Sequence, residues 1–304
     1  MRNLLITASL MALMGLNSCE KSPVMPPSVS GTAEPSSTGS TVSTLPAKVM
    51  LNLAYGTGPL QVMDVYLPAG RSQTTKVIVM IHGGGWEAGD KRDMAHLVPP
   101  LQAKWPEAAI VNINYRLTSN PTIHHQEIMN DIKAAVNYLI NNKSSLAISD
   151  TLAMIGASAG AQLALLYTYT QNSNNAVKCV SDLFGPCVID DWSWYNSFNL
   201  FIGRPVKDML IKYNGATWQA NPAIYTANSP YRQAVASSKP TIIFHGTLDP
   251  IVPLYQSQWL NAKLTQLGVP HEYYEYLGFH ELTPAQVPIF VDKTVAFFKR
   301  YIGQ

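Results

Sequence analysis

The sequence is short of charge. Lys, Arg, Asp and Glu make up 13% of its 304 residues, and the formal net charge is +2, against a usual charged share of about 25%. No basic stripe occurs, so nucleic-acid binding has no electrostatic footprint. Cysteine is scarce: Cys19, Cys179 and Cys187 are the three in the chain. That excludes a disulfide-stapled scaffold, and no metal-ligand spacing is present, so neither a metal nor another cofactor is expected. Cys179 falls in an expected strand that must end and turn before Cys187, which favours two reduced, partly buried thiols over a bridge. No apolar run reaches the roughly 20 residues a membrane-spanning helix needs.

What is present begins with LLITASLMALMGL (4–16), an apolar stretch of signal-peptide length behind Arg2. It leads into LNSCEK (16–21), which resembles a bacterial lipobox with Cys19 as the lipidated new N-terminus. Asn17 departs from that pattern, and an ordinary signal peptide followed by a stray cysteine is the alternative. Residues 1–18 are therefore expected to be a lipoprotein signal peptide. SPVMPPSVSGTAEPSSTGSTVSTLPA (22–47) is rich in Ser, Thr, Pro and Gly; it lacks the apolar residues to build a core, so 19–47 is expected to be a disordered tether. Its typical reach is about 30 Å. Together these segments predict an exported bacterial lipoprotein, membrane-anchored through Cys19 on the periplasmic or cell-surface side.

From residue 48 to 304 the pattern alternates between strand and helix. VMLNLAYG and LQVMDVYLP read as an antiparallel pair. KVIVMIHGG, EAAIVNINYRL, TLAMIG, AVKCVSDLFG, KPTIIFHG and HEYYEYLG read as further strands. Between them lie HHQEIMNDIKAAVNYLINN with one apolar face, AGAQLALLYTYT, PLYQSQWLNAKLTQLG and a closing VPIFVDKTVAFFKRYI. A short helix in DMAHLVPPLQAK is expected to break around Pro99-Pro100. This order predicts an α/β fold: a mostly parallel central sheet with helices on both faces. Residues 187–235, rich in Trp, Tyr, Asn and Pro, are too long for a simple connection. They predict a cap-like insertion after the sixth strand.

Four pieces carry chemistry. MIGASAG (154–160) places Ser158 on a tight strand-to-helix turn, where small neighbours let the helix pass close to the strand and the hydroxyl meets a helix N-terminus. Ser158 is the candidate nucleophile. IHGGGW (81–86) supplies backbone N–H groups with no Cβ in the way; Gly84 and Gly85, with Ala159, are the candidate oxyanion donors, and Gly83 is an alternate. FHGTLDPIVP (244–253) offers Asp249 as the acid that orients an imidazole, with Asp182 in SDLFGP as its rival. LGFHEL (277–282) offers His280 as the base, in the order Ser…Asp…His. Histidine's free pKa of about 6.5 suits proton shuttling. His245 competes for that role but sits in the turn that presents Asp249.

From about residue 50 onward, HGGGW, NYRL and GASAG resemble an α/β-hydrolase of the carboxylesterase type. They are similar to esterases around hormone-sensitive lipase and to acetyl-xylan and feruloyl esterases. The resemblance implies the α/β-hydrolase fold and framework roles for Tyr115 and Arg116. With the four motifs it implies a serine ester hydrolase forming an acyl-enzyme, on short-chain or carbohydrate-linked esters such as acetyl or feruloyl. Trp86 is expected to contact substrate, and Trp192, Trp194 and Tyr195 are candidates to stack on sugar or aryl rings. A serine peptidase of the same fold and a lipid-anchored binding protein without turnover are the alternatives.

Overall fold

The computed structural model describes residues 44–303. The expected signal peptide, Cys19 and the tether up to residue 43 lie outside the described residues. Residues 44–47 have no regular structure but are already tied to the domain: the N–H of Gly70 donates to Leu45 O at 2.8 Å, and Arg71 donates to Pro46 O.

Eight strands form one sheet: β1 (Lys48–Ala54), β2 (Val62–Leu67), β3 (Val77–Ile81), β4 (Ala109–Ile113), β5 (Leu152–Ala157), β6 (Val177–Leu183), β7 (Thr241–Gly246) and β8 (His271–Tyr276). Their spatial order is β1-β2-β4-β3-β5-β6-β7-β8. β2 runs antiparallel to both β1 and β4, and every other pair is parallel. The principal helices are α1 (Val98–Lys104), α2 (His125–Asn141), α3 (Ala159–Leu166), α4 (Val206–Asn214), α5 (Leu254–Leu267) and α6 (Gln286–Ile302).

The continuous apolar strands are explained by cover on both faces. Val77, Val79 and Ile81 of β3 join a core with Ile128, Ile132 and Leu139 of α2 and with Leu260 of α5. The alternate residues Ile78 and Met80 join a second core with Leu101 of α1 and Phe290, Val295 and Phe298 of α6. Two cores on opposite sides of one sheet are the consequence of the two-residue period of a strand.

One expectation fails at Pro99-Pro100. These prolines lie in the first turn of α1 rather than breaking a helix, and residues 91–97 before them form a 3₁₀ turn. N–H groups in a first turn have no intrahelical partner, so proline loses nothing there. Both core cysteines, Cys179 and Cys187, are free and fully buried. Among the described residues no helix is long and apolar enough to cross a membrane.

Residues 187–235 fold into short helices, α4 and a two-residue ribbon pairing Phe198–Asn199 with Arg204–Pro205. They carry an aromatic cluster of their own, with Trp218 stacked on Tyr225 at 5.2 Å. This segment is fastened to α5 and its approach by Val188 N–H to Gln256 Oε1 (3.0 Å) and Tyr255 Oη–H to Asp191 Oδ2 (2.6 Å). It stands over the C-terminal ends of the parallel strands, where open α/β sheets place their ligand sites.

Candidate active site

The turn between β5 and α3 holds Ser158 at φ 54°, ψ −123°, a strained conformation for a residue with a side chain, costing about 1–3 kcal/mol. Its neighbours make it achievable. A Cβ on Gly156 would lie 2.3 Å from Gly160 O, and one on Gly160 would lie 2.2 Å from Ile81 O. Only glycine permits this crossing of helix over strand. The turn leaves Ser158 Oγ 2.7 Å from His280 Nε2.

His280 comes from the loop after β8, and its Nδ1 lies 2.6 Å from Asp249 Oδ2. Its side chain is 12% exposed, so one edge of the imidazole faces the cavity, while the Asp249 carboxylate is fully covered. The Phe184 ring packs against the imidazole at 4.5 Å and limits its tilt. Asp249 follows β7, and its other oxygen, Oδ1, accepts the N–H groups of Ile251 (2.8 Å) and Val252 (3.0 Å). Burial by itself would raise the Asp249 carboxyl; hydrogen bonding from His245, His280 and the Ile251 N–H outweighs it and holds the group well below the ordinary carboxylate range.

Asp182, the rival acid, lies near the end of β6, fully buried and with no hydrogen bond to His280. It accepts from Gly185 N–H (2.8 Å) and the Cys187 thiol (3.3 Å). Burial pushes its carboxyl up to about 6 against the pull of those two donors. The remaining histidine of the glycine motif, His82, is buried and stacked on Tyr115 at 4.4 Å. Tyr115 donates to His82 O at 2.9 Å, and Arg116 pairs with Asp131 at 2.7 Å, so both belong to the framework under the loop.

The loop 83–86 passes directly over Ser158. A Cβ on Gly83 would lie 3.0 Å from Ser158 Cβ. Gly84 and Gly85 have φ of +108° and +60°. Among the described residues no acceptor takes the N–H of Gly84, Gly85 or Ala159, and all three residues border the same cavity. Unpaired donors beside a hydroxyl form a receptor for a developing oxyanion.

Trp86, expected to contact substrate, borders the same cavity. Its ring has no exposed surface. It is stacked on Tyr213 at 4.4 Å, and its Nε1–H donates to Gln162 Oε1 at 3.0 Å. The ring sits in the cavity wall as support for the loop, with no free face to stack on a ligand. Gln162 in turn donates to Asn228 O (2.8 Å), and Asn228 to Asn214 Oδ1 (2.7 Å), tying the glycine loop through α3 to the insertion. Trp194 and Tyr195 are also buried, whereas Trp192 is 52% exposed.

The cavity measures about 350 Å³. Phe184, Trp194, Ile202, Met209, Ile251 and Val252 give it apolar walls, with the ion pair of Arg204 and Glu87 among its lining. A second role of the insertion, for which no sequence motif stands, is to clamp the acid loop. Trp194 Nε1–H donates to Ile251 O (3.1 Å), and Asn199 Nδ2–H to Pro250 O (2.7 Å). Among the described residues no group of three or more His, Cys, Asp or Glu side chains is placed to hold a metal ion. A hydroxyl, an imidazole and a buried carboxylate joined end to end can activate the hydroxyl oxygen as a nucleophile.

Comparison with known proteins agrees with this geometry. The BD-FAE family model matches residues 63–264. The chain belongs to the BD-FAE family. Esterase LipQ of Mycobacterium tuberculosis is 24% identical over 245 residues, covering 72% of this chain and 57% of that protein. An isoprenylcysteine alpha-carbonyl methylesterase of Arabidopsis thaliana is 22% identical over 244 residues, covering 76% and 56%. The chain thus spans about half the length of these curated relatives. Among solved structures, a truncated carbohydrate esterase from gut microbiota superposes with a TM-score of 0.71 at 21% identity, covering 86% of this chain and 98% of that one. Esterase 2 of Thermogutta terrifontis gives 0.65 at 17% identity, covering 84% and 94%. The fold of this BD-FAE member is that of the α/β-hydrolases.

Proposed function

We propose that the protein is a serine carboxylic-ester hydrolase that works through an acyl-enzyme. The observation that carries the reading is the continuous chain from Ser158 Oγ to His280 to Asp249, 2.7 and 2.6 Å, beneath unpaired N–H groups. Ser158 Oγ attacks the ester carbonyl while its proton passes to His280 Nε2. Asp249 holds His280 by Nδ1 and stabilises the imidazolium. The carbonyl oxygen, now anionic, is received by the N–H groups of Gly84, Gly85 and Ala159, each such donor being worth about 3–4 kcal/mol. The C–O bond to the alcohol breaks, and His280 returns its proton to that oxygen. Water then repeats the sequence on the acyl-enzyme and releases the acid. The names of the related esterases support ester hydrolysis.

The substrate reading is a short-chain or carbohydrate-linked ester. Two observations support it: the apolar walls of a cavity of about 350 Å³, near the lower end of ligand pockets at about 300 Å³, and the likeness in fold to a carbohydrate esterase. Purified protein offered p-nitrophenyl acetate, methyl ferulate and acetylated xylan tests both parts. Turnover of at least one, abolished in Ser158→Ala with the fold intact, is expected. Full residual activity in Ser158→Ala means another nucleophile, and no turnover of any of them favours a binding protein.

Export and anchoring through Cys19 complete the reading, supported by the apolar stretch 4–16 and the Ser/Thr/Pro/Gly-rich segment that follows the cysteine. Cys19→Ala is expected to release the protein from membranes, and continued membrane association rejects the anchor.

A further inference from the structure

Asp249 has a second imidazole beside it. His245 lies in β7 with no exposed surface. Its Nε2 is 3.0 Å from Val252 O and 3.1 Å from Asp249 Oδ2, the same carboxylate oxygen that meets His280 Nδ1. A carbonyl oxygen only accepts, so Nε2 must carry a proton. Its Nδ1 lies 2.6 Å from Ser257 Oγ on α5. Ser257 is buried, and among the described residues its hydroxyl has no other partner. Ser257 Oγ thus anchors the ring from Nδ1 and turns the Nε2–H toward the acid turn.

That one N–H serves Asp249 twice. It is aimed chiefly at Val252 O, the carbonyl of the turn whose N–H groups grip Oδ1. At the same time it lies against Oδ2. We propose that His245 is a positioning residue of the triad: its buried Nε2–H, oriented by Ser257, draws charge from Asp249 Oδ2 and so sets how firmly His280 holds the proton it takes from Ser158. The proposal rests on the serine-hydrolase reading.

Other ionisable groups face His245 as well. Asp182 approaches from β6, and Glu275 is its register partner on β8. Glu275 is occupied by Tyr273 Oη–H (2.7 Å) and Gln258 Nε2–H (3.0 Å), and Asp182 by Gly185 and Cys187. Neither hydrogen-bonds to His245, and both remain when His245 is replaced. Beyond Asp249 lies His280. A change at His245 is therefore read through Asp249.

Two readouts test this: the midpoint of the acid limb of kcat/KM for p-nitrophenyl acetate, and the pH midpoint of the deshielded His280 Nδ1 proton by NMR, which needs no turnover. In His245→Leu the carboxylate loses a donor, the imidazolium is better stabilised, and both midpoints are expected to rise by about half a pH unit or more, roughly threefold in proton affinity. His245→Gln restores an N–H near the same place and is expected within about 0.2 units of the parent. Ser257→Ala, which removes the contact that orients the ring from Nδ1, shifts both midpoints the same way by less and decides the matter if the leucine variant does not fold. Unmoved midpoints in the leucine and alanine variants overturn the proposal, as does a glutamine variant that moves as far as leucine. Loss of Ser158-dependent turnover in the parent would reject the hydrolase reading instead, with the NMR midpoint still judging His245.

Discussion

Trp86→Phe separates a supporting side chain from a substrate-binding one. The substitution removes the Nε1–H that reaches Gln162 Oε1 at 3.0 Å in a site with no exposed surface. A buried amide oxygen left without that donor costs about 1–3 kcal/mol. For a domain of this size each kcal/mol shifts Tm by about 2–4 °C, so a fall of about 2–12 °C is expected. The stack on Tyr213 is largely kept, which confines the change to the lost hydrogen bond and a small void. Because the ring supports the loop carrying Gly84 and Gly85, kcat is expected to drop by a similar factor for acetyl, butyryl and aryl esters. Thermal unfolding by circular dichroism and initial rates on the three esters read both effects. An unchanged Tm with KM raised only for the larger esters refutes the assignment and returns Trp86 to the substrate.

Other residues give equally direct outcomes. Asp249→Asn keeps an oxygen for the Ile251 and Val252 N–H groups but loses the anionic partner of His280, so kcat is expected to fall by about a thousandfold or more; Tm is expected to fall too, because a carboxylate held below its ordinary range stabilises the fold at neutral pH, and a fall in kcat under tenfold points to a different acid. Asp182 has its carboxyl raised to about 6 by burial. A raised carboxyl destabilises the folded state increasingly as pH climbs above the unfolded carboxylate range, and that cost is complete above the folded value. Asp182→Asn is therefore expected to exceed the parent in urea midpoint at pH 8 and to converge with it near pH 4; an equal gap at both pH values rejects the cause. Gly160→Ala brings a Cβ within 2.2 Å of Ile81 O, and soluble expression with full activity would show that the strand–helix crossing is looser than described.

Much of the architecture is legible in the sequence because its signals are local. Apolar runs such as VIVMI and AIVNI are buried at every position, and a run of that kind needs cover on both faces. Gly-Ala-Ser-Ala-Gly announces its turn because the backbone crossing excludes any Cβ at Gly156 and Gly160. The positions of Ser158, Asp249 and His280 follow from strand ends counted in order. What escapes is whatever depends on side-chain direction or distant partners. The orientation of Trp86 is set by its positive φ of 61° and by Tyr213, a residue 127 positions away in an insertion without a motif. The clamp of Trp194 and Asn199 on carbonyls 250 and 251 pairs side chains with backbone, a contact that leaves no periodic trace. His245 reads as a competing base, and only the distances to Ser257 and Asp249 give it another place. Pro99-Pro100 misleads because proline both ends helices and begins them, and flanking sequence did not say which.

The central claim is that Ser158 is the acyl-accepting atom. Treating the protein with a fluorophosphonate and mapping the adduct by peptide mass spectrometry tests it most directly. One phosphonyl group on the peptide bearing Ser158, complete loss of ester hydrolysis, and no adduct in Ser158→Ala are the expected result. An adduct elsewhere, or hydrolysis that survives stoichiometric labelling of Ser158, contradicts it.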